Sequence, residues 1–224
     1  MAAVFGASLV LAQPALAVTA TYDFEAIADG AAFTSTLGAK VGAEGNWNKV
    51  DDKGSAAIVG DGAGIIVNGI TIYAEGFNSS GAAADAFFDA NRAGLGVCSS
   101  GSCKSGVPGA NTGDDNLNRA EESLKLMFDR TVSIAAMTVR KGDHSLANGD
   151  FTLGGVLYSI VNGMVDADAL ALIAPGTEFS LGYIPSGPEL YISDVTVSAV
   201  PLPATAALLS GAFGLLGWRA RRRA

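Results

Sequence analysis

The residues best suited to chemistry in this chain carry oxygen. Asp114-Asp115-Asn116 sets two carboxylates and an amide side by side, within a Gly-, Ser-, Asn- and Asp-rich stretch from Gly94 to Arg119. Hard divalent cations take about six to eight such oxygens, often from loops, so calcium suits this cluster best. Solvated turn carboxylates are the competing reading, and the spacing of an EF-hand loop is absent. Asp166-x-Asp168 is a weaker version of the same signal.

Catalytic constellations are sparse. Glycoside hydrolysis needs two carboxylates flanking the scissile bond, and Asp114, Asp115, Glu121 and Glu122 could supply them, as any acidic surface could. His144 is the only histidine. No G-x-S-x-G elbow accompanies it, so it reads as a loop residue. Gly60-x-Gly62-x-Gly64 lacks the Lys-Ser/Thr of a phosphate loop and reads as a turn. Trp47 and the Phe87-Phe88 pair could stack on a sugar, but core packing is the favoured role for such large apolar faces. The expectation is a protein without catalytic activity. A secreted polysaccharide hydrolase or lyase is the alternative.

These groups need elements to position them, and the ends of the chain define where the elements lie. Met1–Ala17 reads as a secretory signal peptide, an apolar run ending in Ala15-Leu16-Ala17. It has no Lys or Arg before the apolar run, which favours a start further upstream. The body, residues 18–199, suits one domain with a real core. Of 14 basic residues four lie in the last six positions, which leaves the body ten basic against 22 acidic, a net of −12. Such a charge disfavours nucleic acid, whose phosphates need a basic patch, and is compatible with cations and neutral sugars. In an oxidising compartment Cys98 and Cys103, in CSSGSC, are expected to form a disulfide. Zinc is the weaker alternative, because one His and two Cys cannot complete a structural site.

Short β-like runs separated by Gly, Asn and Asp clusters mark an all-β body. Val18–Phe24 is the first strand. Asn68-Gly69 in IIVNGITIY is a hairpin signal, and Gly154-Gly155 is a second. Leu124, Leu126 and Phe128 alternate with Ser123, Lys125 and Met127, a period of two. Asp129-Arg130 then reads as a turn that sends Val132–Arg140 back. Residues 82–89 are ambiguous between strand and helix, Val165–Ala174 reads as a short helix, and Leu190–Ala199 closes the domain. About eight to ten short strands suggest an antiparallel β-sandwich, jelly-roll-like.

The tail organises everything else. Val200–Ala224 holds Val200, Pro201, Leu202, Pro203 and Ala204, an apolar run to Trp218, then Arg219, Arg221, Arg222 and Arg223. A helix over Ala204–Trp218 would be roughly 22 Å long, a short single transmembrane helix with its arginines held cytoplasmic. On this motif, run and basic stop, the tail resembles the PEP-CTERM class of bacterial sorting signals in its VPLPA variant. The resemblance implies recognition and processing by an exosortase-family membrane peptidase. The precursor would sit transiently in the inner membrane before the product reaches the cell surface or extracellular matrix.

The body is similar to jelly-roll domains found in PEP-CTERM proteins, through Asp23-Phe24-Glu25, Gly94-Leu95-Gly96-Val97, Asp114-Asp115-Asn116 and the run Glu122 to Asp129. That resemblance implies a second calcium position between the first and last strands, at Glu25 and Asp194. It also implies polysaccharide as the ligand, although a shared fold confers no function by itself.

Overall fold

The computed structural model describes residues 17–47, 63–99, 103, 115–119 and 121–201. Of the described residues strand makes up 57% and helix 7%, so the all-β, antiparallel expectation holds. The strands are β1 Thr19–Asp23, β2 Ala32–Ser35, β3 Gly38–Val41, β4 Gly45–Asn46, β5 Ile65–Val67, β6 Ile70–Phe77, β7 Ala83–Asp89, β8 Gly94–Cys98, β9 Ser123–Lys141, β10 Gly149–Leu153, β11 Val156–Val161, β12 Met164–Val165, β13 Gly176–Gly182 and β14 Leu190–Ala199. Two single-turn helices, α1 Phe24–Ala28 and α2 Ala167–Ala171, interrupt them. Strand β7 resolves the ambiguity at 82–89, and α2 lies inside the expected helical stretch. Asp166 caps α2 by accepting from the backbone N–H groups of Asp168 and Ala169, which explains the Asp166-x-Asp168 pair.

Asn68-Gly69 does close the β5–β6 hairpin, with φ of 49° and 75°. These positive values suit the mirror-image turn that matches strand twist. Gly154-Gly155 joins β10 to β11 in the same way.

The expected reversal at Asp129-Arg130 does not occur. Strand β9 runs unbroken for 19 residues. Its first half pairs with β6 on one side and β13 on the other, and its second half pairs with β14 and, at Thr138, with β12. Asp129 accepts from the Thr71 N–H and pairs with Arg130 at 3.0 Å, so the two polar residues mark a change of partners rather than a turn. The pairings trace two closed circuits that share β9. One runs β9–β6–β7–β8–β14 and the other β9–β13–β10–β11–β12, giving the sheet its barrel-like closure.

Two extra residues decide which side chains face inward. Between β9 and β14 the register skips Ala135 on one strand and Ser193 on the other. An extra residue reverses the inside–outside alternation beyond it. In β9 the buried set accordingly moves from Val132 and Ile134 to Met137 and Val139. In β14 it moves from Val197 and Val195 to Ile192 and Leu190. Without the bulge Tyr191 would share the inner face with Val195. With it, Tyr191 is buried but lies outside the main core cluster.

The core is aromatic at one end. Trp47, Phe24 and Phe88 stack or tilt at centroid distances of 5.2–6.2 Å, and the Trp47 Nε1–H donates to the Ala63 carbonyl at 2.9 Å. Trp47, Phe87 and Phe88 are at most 1% exposed, which removes the sugar-stacking platform and leaves the core role.

Candidate functional site

Tyr191, turned out of the core by the Ser193 bulge, forms the floor of a polar cavity of about 210 Å³. Two glycines let other elements close over it. A side-chain carbon at Gly94 would collide with the Ile192 carbonyl oxygen, and one at Gly96 would collide with that of Asp115. Only glycine lets β14 and the 115–119 segment approach β8 this closely. Leu117 exchanges two 3.0 Å backbone hydrogen bonds with Leu190, which fixes Asp115 and Asn116 beside Glu189 and Tyr191. Glu122, 1% exposed, holds the end of that segment by accepting from the N–H groups of Asn118 and Arg119 and from Ser99 Oγ. The Cys98–Cys103 disulfide forms, and Cys103 lies in the cavity wall.

The other wall comes from the β7–β8 turn and the loop after β9. Asp89 ends β7 and is 8% exposed. His144, at φ 64°, reaches from the far loop with Nε2 2.9 Å from Asp89 Oδ2 and Nδ1 2.9 Å from the Asn91 carbonyl oxygen. A carbonyl oxygen only accepts, so Nδ1 carries hydrogen, and a single proton must then lie between Nε2 and the Asp89 carboxyl. The imidazole meets Tyr191 edge-on at 5.6 Å. The Tyr191 hydroxyl donates to Asp115 Oδ1 at 2.5 Å. Glu44 and Glu189 complete the acidic lining.

Burial governs the electrostatics. It pushes the Asp115 carboxyl up to about 6, opposed by the Tyr191 hydrogen bond and reinforced by the charge of Asp89. It also raises Asp89, with His144 opposing and Glu44 reinforcing. The Tyr191 hydroxyl is raised by burial and by Asp115, so it stays a donor at every ordinary pH. Asn116 lines the cavity at 3% exposure, and its Oδ1 has no hydrogen-bond partner among the described residues. Its Nδ2 approaches Glu189 Oε2 at 3.4 Å.

Of the residues expected to bind metal, Asp115 and Asn116 stand together in this cavity, and Asp114 lies outside the described residues. Glu25 sits elsewhere, its Oε2 taking Arg140 Nη2 at 2.8 Å and Ser193 Oγ at 2.7 Å. Asp194 pairs in register with Asp23, and burial raises its carboxyl. Among the described residues no three His, Cys, Asp or Glu side chains form a group able to hold one metal ion. Glu121 is exposed, at φ 70°. Of the sorting motif, Val200 and Pro201 are described and exposed. Leu202, Pro203, Ala204, Arg219, Arg221, Arg222 and Arg223 lie outside the described residues, as do residues 1–16. Among the described residues no helix is long and apolar enough to cross a membrane.

Asp89, His144, Glu189 and Tyr191 were not legible as a site, because register rather than spacing brings them together. The cue that could have found them is Gly94-x-Gly96, two small residues where strands must approach closely. No protein-family model, curated protein or solved structure matches this chain.

Proposed function

We propose that this chain is an exported, non-catalytic protein of the cell surface or extracellular matrix, with a jelly-roll-type body that binds polysaccharide. Its tail would be sorted by an exosortase-type peptidase acting near Val200–Ala204. The observation that carries the binding reading is the cavity itself, where buried oxygen acceptors face a space of about 210 Å³. Sugar hydroxyls are donors that such acceptors take up, and binding sites place a few polar groups in a concave wall. His144 speaks for a non-catalytic role, since its two nitrogens face a carboxylate and a carbonyl rather than a nucleophile. Calcium at Asp115 and Asn116 is a separable part of this reading, which the chelator decides.

The test is binding of the purified protein to the producing organism's own exopolysaccharide, with calcium and then with chelator. Saturable binding is expected, and its loss on chelation would assign the cavity oxygens to calcium. No binding in either condition would overturn the reading. The sorting half is tested separately. Replacing Pro201 and Pro203 with alanine should leave an unprocessed precursor, and an unchanged C-terminal mass would refute it.

One observation favours the hydrolase or lyase alternative. A carboxyl held at about 6, as Asp115 is, suits a general acid near neutral pH. Release of new chain ends by the native protein, lost in Asp115→Asn, would establish that alternative.

A further inference from the structure

The described lining of the cavity holds four carboxylates, Glu44, Asp89, Asp115 and Glu189, with His144 and no Lys or Arg. A neutral sugar gives such a wall no compensating charge. Two of the carboxylates, Asp89 and Asp115, are at most 8% exposed, where an ionised group needs a partner of opposite charge; His144 stands beside Asp89, whereas Asp115 takes only the neutral Tyr191 hydroxyl. The Asn116 Oδ1 adds an independent demand: a buried acceptor without a donor among the described residues, on a residue that lines the same space. Both demands are met by a cation that carries N–H groups.

Size selects among cations. A bare calcium ion needs its oxygens at about 2.3–2.6 Å, and no three acidic, His or Cys side chains among the described residues form such a group. The cavity has room for several waters at about 30 Å³ each, which is the scale of a sugar ring. We propose that the cavity recognises a sugar residue bearing a free ammonium group, a deacetylated amino sugar within a polysaccharide. Its ammonium supplies three donors and one positive charge to Asp89, Asp115 and Asn116, while a hydroxyl takes Glu189. The inference rests on the polysaccharide-binding reading and adds the charge of the ligand.

Calorimetric titration of the full-length protein with glucosamine oligomers, N-acetylglucosamine oligomers and cello-oligomers tests it, with calcium chloride alone as a fourth arm. Glucosamine oligomers should bind at least about tenfold more tightly than the acetylated ones, because acetylation removes the charge. Added salt and the isosteric changes Asp89→Asn and Asp115→Asn should weaken that binding, with the melting transition kept as the check of fold. Equal binding of acetylated or cello-oligomers would overturn the ammonium inference and leave polysaccharide binding standing. No binding of any oligomer would overturn the inference and count against the reading beneath it. Saturable calcium binding that excludes the glucosamine oligomer would overturn it in favour of the metal.

Discussion

Glu25 and Asp115 are carboxylates beside the same strand, β14, in opposite electrostatic situations. Glu25 is answered by a guanidinium at 2.8 Å and by the Ser193 hydroxyl, and the resulting cluster ties α1 to β9 and β14. Asp115 is answered by a phenol that keeps its proton at ordinary pH, and the like charge of Asp89 outweighs the opposing influence of His144 on it. The first arrangement matches donors to acceptors and holds strands together. The second leaves Asp115 with a neutral donor in place of a cation and the Asn116 Oδ1 without a donor among the described residues, and that difference separates a structural cluster from a candidate binding cavity.

The largest expected effect is on the dependence of stability on pH. The folded Asp115 holds its proton up to about pH 6, while the unfolded carboxyl loses it near 3.8. The stability given by that proton is complete below 3.8 and is lost as pH rises through 6. A carboxyl raised that far contributes about 3 kcal/mol to the acid-side stability, and the raised Asp89 and Asp194 add in the same direction. Urea unfolding of the ligand-free protein should therefore show stability rising on acidification from about pH 7 to about pH 4. Asp129, lowered by Arg130, acts in the opposite direction and only below that window. Asp115→Asn should flatten much of the slope and raise neutral stability. An unchanged slope would place the two carboxylates in the same class.

The second effect probes the satisfied partner. Arg140→Met removes the guanidinium and leaves Glu25 facing only Ser193. Breaking a buried pair costs about 3–5 kcal/mol. These side chains are 19% and 23% exposed, so about 2 kcal/mol at neutral pH is expected after solvent screening. The sign is opposite to that for Asp115→Asn, and chemical denaturation of both variants side by side measures it. Two losses of equal size would erase the distinction.

The parts of this architecture that were legible in the sequence are local. Asn68-Gly69 and Gly154-Gly155 announce hairpins because turn chemistry depends on φ at two adjacent residues. The same kind of pair at Asn162-Gly163 joins β11 to β12. The adjacent oxygens of Asp115 and Asn116 were visible in the sequence, and the Cys98–Cys103 disulfide was legible by its spacing. The continuity of β9 was not, since Asp129-Arg130 looks like a turn until distant partners take up the strand on both sides. The bulges at Ala135 and Ser193 leave no local mark either. Moving Tyr191 from core to cavity depends on one skipped residue in a pairing of distant strands, and the cavity follows from it. His144 is the loop residue it looked like, but register brings Asp89 and Asn91 to both of its ring nitrogens.

The smallest effect isolates the side-chain hydrogen bond from Tyr191 to Asp115. Tyr191→Phe keeps the ring, its edge contact with His144 and the fill of the floor, and deletes only the hydroxyl. Losing a hydrogen bond to a charged group costs about 1.5–3 kcal/mol when the acceptor stays ionised. Asp115 can escape most of that by keeping its proton, because the hydroxyl was the main influence opposing burial. The variant should lose about 1 kcal/mol at pH 7 and little at pH 4, with the stability slope extended to higher pH. If Asp115 were satisfied in the manner of Glu25, the loss would be the same at both values. Comparing the two unfolding curves therefore tests whether the proton, rather than the phenol, is what this carboxylate falls back on when no ligand is present.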